Sequence, residues 1–205
     1  YLAGWIYALG IAWDAITDPF MGYLAERTSS KRGKYRPYIF FGTIPLALSF
    51  VMLFWVPPFT GLSLFICLLL VNVFHRTCFT IVSVPYSSLT PRITSDSEER
   101  TKLTTARMIG ASFGTLLMSS LGFPIINYFG QNDESLGIIY LSSFAAFFAV
   151  IILYITYTSV KESSTEEVKE IYPSITKIIL SILKNYPFWI VFSSILILGS
   201  TTIMF

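Results

Sequence analysis

Six long stretches of this chain are almost free of charge: residues 1–25, 38–56, 57–75, 108–132, 135–160 and 185–205. Each is close to the ~20 apolar residues that a helix needs to cross a bilayer. Within a bilayer every backbone N–H and C=O must be satisfied internally, so stretches of this kind fold as helices packed side by side. Composition agrees. The chain is 54% hydrophobic and only 13% charged, against about 25% charged residues in a soluble domain. The expectation is an all-α integral membrane protein, with charge confined to the connections.

Those connections alternate. Arg27, Lys31, Arg32, Lys34 and Arg36 crowd the one after the first stretch, whereas 57–61 and 130–137 hold no Lys or Arg. Arg92, Arg100 and Lys102 then mark 90–103, and Lys161, Lys169, Lys177 and Lys184 mark the last. By the positive-inside rule, 26–37 and 161–187 are cytoplasmic loops of a multi-pass protein of the plasma membrane, the inner membrane in a bacterium. Both ends of the chain fall inside apolar segments, so an internal fragment of a longer protein is expected.

Finer features refine the spans. The second span is expected to begin after Pro37 and to end at Val56 before Pro57-Pro58, and the third to be interrupted at Arg76 and bent near Pro85. Ser95-x-x-Glu98 has the form of a capping box that opens a short helix ahead of the fourth span. Gly110-x-x-x-Gly114 is read as a small-residue face for close helix contact. Residues 174–184 place Ile175, Ile178, Ile179, Ile182 and Leu183 on one helical face, the pattern of an interfacial amphipathic helix. The organisation expected is a bundle over 1–160, a cytoplasmic connection over 161–187, and the first helix of a second bundle over 188–205.

Asp14 and Asp18 are the exception to the uncharged first stretch. A carboxylate at the centre of a membrane helix costs about 2.5–3.5 kcal/mol on insertion scales. Four residues apart, the two lie about 6 Å apart along the axis on one face. That face must meet polar groups, water or a bound cation, and a chain that retains both residues points to use for an ion. Arg76 lies at a similar depth to Asp14 in another helix of the same direction, and Thr80, one turn on, matches Asp18. Arg76 is either a structural neutraliser of the aspartates or part of the ion site. A guanidinium beside the carboxylates favours their ionised form, which tips the coupling ion towards Na⁺ over H⁺. Arg107, one turn inside its helix, is equally explained by snorkelling.

Other chemistries find little support. Arg32-Gly33-Lys34 lacks the upstream glycine and following Ser/Thr of a phosphate loop. No His/Cys set suits a metal, and the lone His75 reads best as a packing residue. Cys67 and Cys78, about 16 Å apart along one helix, cannot bridge each other. No nucleophile–base pair appears, so an enzyme is not expected, and nothing suggests a nucleic-acid partner.

Trp13-Asp14-Ala15-x-x-Asp18-Pro19-x-x-Gly22, then Glu26-Arg27-Thr28, Lys31-Arg32-Gly33-Lys34 and Arg36-Pro37, resembles the glycoside–pentoside–hexuronide:cation symporters, the melibiose permease-like branch of the major facilitator superfamily. Thr80-x-x-x-x-Pro85-Tyr86-x-x-Leu89-x-Pro91-x-Ile93-Thr94, Glu99-Arg100 and Lys184-Asn185-x-Pro187-Phe188 continue the likeness in order. The resemblance implies a fold of twelve helices in two bundles, of which this chain supplies about helices two to seven. It implies cation-coupled uptake of a sugar or glycoside by alternating access, with no cofactor beyond Na⁺ or H⁺. It places Asp14, Asp18, Thr17 and Thr80 at the cation and Arg107, with Phe79, Ser83, Tyr86 and Ser87, beside the sugar. Gly22, Glu26, Arg27, Lys31, Arg32 and Lys34 fall in the gating loop, whose charge partners are sought near 96–100. Thr17, Ser83 and Ser87 depart from the permease's residues, and Arg76 replaces a glycine there. A cation-coupled carrier of an amphiphile or lysolipid, and a non-transporting membrane sensor, are the alternatives.

Overall fold

A computed structural model describes residues 2–28, 30, 33–94, 96–131 and 133–160, and in the C-terminal part 181, 184–187, 189–190 and 193. Two compact units are distinguished, Tyr1–Ser163 and Ser164–Phe205. The first holds helices α1 (Leu2–Arg27), α2 (Arg36–Leu53), α3 (Gly61–Ile93), α4 (Ser97–Gly130) and α5 (Glu134–Ser159). No strand occurs among the described residues. Of the second unit, the amphipathic helix expected at 174–184, the connection at 161–187 and the span at 188–205 lie largely outside the described residues.

Four helices are long and apolar enough to cross a membrane among the described residues: Arg36–Leu53, Gly61–Thr90, Ser97–Gly130 and Glu134–Ser159. α1 has the length, at 26 residues, but does not join them, because two carboxylates and a proline dilute its hydrophobic residues. Of the six spans read from the sequence, four are apolar helices and α1 is a polar-faced one, while the sixth falls largely outside the described residues.

The helix limits also differ from expectation, each for a local reason. α2 stops at Leu53, short of Val56, as Phe54 and Trp55 turn back to bond Val51 and Met52 carbonyls at 3.1 and 3.2 Å. α3 runs as one helix through Arg76 and Pro85: a charged side chain with a partner leaves the backbone ladder intact, and a proline removes one hydrogen bond without ending the helix. The short helix expected before the fourth span is the opening of α4 itself. Its N-cap is Asp96, whose carboxylate accepts from the Glu98 N–H at 3.1 Å; Ser95 lies outside the described residues.

The helices pack in the order α1 on α3, α3 on α2, α2 on α5 and α5 on α4, with α3 also touching α4. Gly42 lets α2 approach α3 closely, for a Cβ there would lie 2.6 Å from Val82 Cγ2. Gly130 and Gly137 do the same where α4 turns into α5. Gly110 and Gly114 do not: a Cβ at either meets nothing within 4 Å. Their spacing suits a helix contact, but the described residues present no partner to that face.

The main buried cluster is Met21, Ala25, Tyr35, Ile39 and Leu89, at the end of the bundle that carries residues 28–35. Gly33 turns that connection at φ 103°, a left-handed backbone suited to glycine. Glu26 accepts the Tyr35 hydroxyl and Thr28 shares a hydrogen bond with the Tyr38 hydroxyl. Arg36 reaches across to α5, donating from Nη2 to the Tyr157 carbonyl at 2.6 Å, and its guanidinium lies over the Tyr157 ring. A cation on the last carbonyls of a helix is favourable on both dipole and hydrogen-bonding grounds.

Candidate cation site between α1 and α3

One numerical offset organises the contact between α1 and α3. Asp14 meets Arg76, and Asp18 meets Thr80, each pair 62 positions apart. Gly10 lies against Asn72 and Gly22 against Val84, at the same offset. A constant offset with a step of four residues means two helices running in the same direction, one turn per rung. Residues 10, 14, 18 and 22 form one stripe of α1, glycine at its ends and carboxylate in the middle.

In the first rung Arg76 Nη1 donates to Asp14 Oδ2 in a charge-assisted hydrogen bond. The side chains are 19% and 29% exposed, so the pair is largely withdrawn from its surroundings. Arg76 is held on three further sides. Its Nε donates to Asn72 Oδ1 at 3.0 Å, its Cζ lies 5.5 Å from the Tyr7 ring centroid, and Gly10 leaves room for the stem. A Cβ on residue 10 would stand 2.3 Å from Arg76 Nε. In the second rung Thr80, 3% exposed, donates to Asp18 Oδ1 at 2.7 Å, while Asp18 itself stands open. That hydroxyl keeps lone pairs for a cation, and the second Asp18 oxygen has the rest of its capacity.

Thr17 is turned to its own helix, its hydroxyl donating to the Trp13 carbonyl at 3.1 Å. Trp13 is a member of the constellation that the sequence did not single out for a contact: its indole N–H donates to Thr77 Oγ1 at 2.9 Å. Gly10, Tyr7 and Asn72 were missed as well. The four-residue step of 10, 14, 18 and 22 would have found Gly10.

The remaining candidates fall in other places. Arg107 of α4 is exposed and its Cζ lies 5.0 Å from the Tyr86 ring centroid on α3, so these two come together. Ser83 is half-buried and Ser87 exposed on the same helix. Phe79 instead lines a cavity of about 320 Å³ between α2, α3 and α5, with His75, Phe50, Leu46 and Leu153 in its wall. His75 shares a hydrogen bond with Ser49 at 3.1 Å through Nδ1 and stacks near Phe50 and Phe79. Gly22 sits 3.8 Å, as a hypothetical Cβ, from Val84, and Arg27 covers the Tyr23 ring at 4.2 Å. Lys34 is half-buried; Lys31 and Arg32 lie outside the described residues. No group of three or more His, Cys, Asp or Glu able to hold a metal occurs among the described residues.

Three similarities bear on this arrangement. The chain is 30% identical over 82% of its length to the putative glycoside/cation symporter YagG of Escherichia coli, of which it covers 36%. It is 28% identical over 93% of its length to the isoprimeverose transporter of Lactiplantibacillus pentosus, covering 40% of that protein. It is 36% identical over 59% of its length to the sodium-dependent lysophosphatidylcholine symporter 1-A of Danio rerio, covering 23% of it. The chain therefore spans well under half the length of these relatives. Residues 1–205 match throughout the family described as MFS/sugar transport protein. The all-helical bundle, the parallel polar seam of α1 and α3, and that match over the whole chain place this protein in the MFS/sugar transport family.

Proposed function

We propose that this protein is an integral membrane symporter that carries a sugar or glycoside together with a monovalent cation, Na⁺ or H⁺. The observation that carries the reading is the α1–α3 seam: two carboxylates on one helical stripe, each with a polar partner from a helix running in the same direction. The cation binds along the seam of Asp14, Asp18 and Thr80, with Thr17 next to it in sequence but its hydroxyl turned to the Trp13 carbonyl. Arg107 and Tyr86 border the sugar, where a guanidinium and an aromatic face together suit a polyhydroxylated ring. Coupling follows from charge. Two carboxylates and one guanidinium leave the seam at minus one, and one bound monovalent cation neutralises it before the site passes a low-dielectric barrier. Midplane sites between helical bundles that rock against each other fit alternating access.

The test is uptake by the full-length gene product in vesicles, using a panel of radiolabelled mono- and disaccharides, isoprimeverose among them. Each is offered with and without Na⁺ and at two pH values. At least one sugar should accumulate above equilibrium only with a cation gradient. Accumulation that ignores both gradients, for every sugar that enters, would remove the symport reading.

A second cargo has one observation in its favour, the likeness to a protein named as a sodium-dependent lysophosphatidylcholine symporter. Lysolipid accumulation driven by Na⁺, with no response to any sugar, would select it.

Topology is tested separately. The basic connection at residues 27–36 is cytoplasmic in this reading, and the connection at 131–135 faces the other side. Single cysteines at Lys34 and at Gln131, in a background lacking Cys67 and Cys78, should react with an impermeant maleimide from opposite sides. Reaction of both from one side would overturn the orientation.

A further inference from the structure

We infer that Arg76 is a built-in counter-ion that removes Asp14 from the cation site, so that Asp18, with Thr80, is the single carboxylate that receives the transported cation. The inference rests on the symport reading above and deepens it: a seam with two acids becomes a site for one cation, with a specified seat.

The two rungs are not equivalent, and the difference lies in what each acid faces. Asp14 is engaged by a guanidinium that is itself fixed on four sides, by Asp14, Asn72, Tyr7 and the space over Gly10. A side chain met by a glycine that accepts no Cβ, an amide oxygen and an aromatic face is seated, not passing. The planar fork of arginine loses less freedom on such seating than a lysine would. Among the described residues, Asp18 meets only a neutral partner. Thr80 donates one hydrogen bond at 2.7 Å and brings no charge, so the negative charge of Asp18 is uncompensated within the seam. A cation that enters finds Asp14 already paired, and must displace a seated guanidinium to use it. At Asp18 it displaces nothing.

Arithmetic over the titratable and charged groups on the two facing helices supports the same seat. Along the α1–α3 seam these are Tyr7, Asp14 and Asp18 from α1 and Arg76 from α3, while His75, the neighbour of Arg76, is turned to Ser49 on α2. Asp14 and Arg76 sum to zero. Asp18 supplies the remaining minus one, which a single monovalent cation cancels. A second cation would leave the seam positive in surroundings that disfavour any net charge.

The consequence that separates this arrangement from two equal ligands is a rescue. Asp14→Asn alone strands the guanidinium one turn from Asp18, where it competes with the cation for the remaining carboxylate. Removing both charges, Asp14→Asn with Arg76→Gln, leaves amides able to hydrogen-bond each other across the rung and restores a lone Asp18. An ion pair replaced by neutral groups of similar size is often tolerated, whereas one partner removed leaves an uncompensated charge.

The experiment is equilibrium radiosodium binding to the purified full-length protein in detergent, for wild type, D14N, R76Q, D14N/R76Q and D18N. If protons carry the coupling, pH-driven uptake from the sugar panel replaces it. Each variant is first checked for wild-type elution on gel filtration. Wild type should bind one cation per molecule. D18N should lose binding, and D14N should weaken it by about a hundredfold, the scale on which loss of one partner of a desolvated charge pair acts. D14N/R76Q should return to within about tenfold of wild type, and R76Q should bind at least as tightly as wild type, since both carboxylates are then free. A merely structural Arg76 predicts loss in R76Q and no recovery in the double variant. If D14N/R76Q is as defective as D14N, or D18N binds like wild type, the inference falls while symport stands. A wild-type protein that responds to neither Na⁺ nor pH removes the symport reading itself.

Discussion

Asp18→Asn is expected to reduce cation-driven sugar accumulation by about a hundredfold or more, with the protein still present in the membrane. An amide of the same shape keeps an oxygen for Thr80, whose hydroxyl donates to Asp18 at 2.7 Å, so the α1–α3 contact survives. What goes is the charge. A hard monovalent cation that sheds water on entering a low-dielectric seam needs an anionic oxygen in return, and removal of one partner from a desolvated charge pair costs about 2–5 kcal/mol. Thr80→Val, which deletes the hydroxyl and keeps the volume, should have a smaller effect of about tenfold, the scale of one lost charge-assisted hydrogen bond. Initial rates and steady-state accumulation, measured separately against the cation gradient, check both variants. Downhill exchange of sugar should persist in D18N, because Arg107 and Tyr86, the side chains proposed to border the sugar, lie on α4 and α3 and not on α1. Concentrative uptake at the wild-type level in D18N would show that the cation binds elsewhere.

Gly137→Val should be the most damaging change to the fold. A Cβ at Gly137 would stand 2.6 Å from the Ile126 carbonyl oxygen and 3.0 Å from Ile126 Cα. These are backbone atoms of α4, which cannot rotate aside as a side chain can. The crossing is tied in place by the turn between the helices. Asp133 donates its N–H to the Gly130 carbonyl at 2.7 Å and caps α5 by accepting from Ser135 N–H at 2.9 Å. Overpacking a close contact of this kind costs about 1–3 kcal/mol or more. The measurement is thermal unfolding of the purified protein in detergent, with Gly110→Val as control. The control should be nearly silent, since a Cβ at Gly110 meets nothing within 4 Å. Equal stability of the two variants would mean that α4 and α5 do not cross at Gly137.

The seam and the crossing were legible in the sequence to different degrees. Asp14 and Asp18 announce themselves, because two carboxylates in an apolar helix have few physical justifications. Their shared face follows from the spacing of four residues, and the equal depths of Arg76 and Thr80 follow from counting into a helix of the same direction. Glycine spacing was less informative. Gly110-x-x-x-Gly114 has the form associated with helix contact and meets nothing among the described residues, while Gly130 and Gly137, in no such pattern, make the close approach. Spacing alone says which residues share a face, not what stands opposite that face.

The same distinction separates what the sequence determined from what tertiary structure decided. Apolar run lengths are properties of the chain as a string, and they were enough for the helices and for setting off the two acids as candidates, while the resemblance to the family came from motifs recurring in order. Which acid meets charge and which meets a hydroxyl depends on the axial offset between α1 and α3, one value of 62 positions that also seats Gly10 against Asn72. A shift by one turn would pair Asp18 with Arg76 instead and set Asp14 against the neutral Asn72. The rotation of α3 is equally beyond the string: it turns Phe79 and His75 into the α2–α5 cavity and Tyr86 towards Arg107. Offsets and rotations between helices are set by side-chain interdigitation over the whole contact and by the close approaches that glycines such as Gly10 and Gly42 permit. No local pattern encodes that sum, so the partners of Asp14 and Asp18 became visible only when the helices were packed.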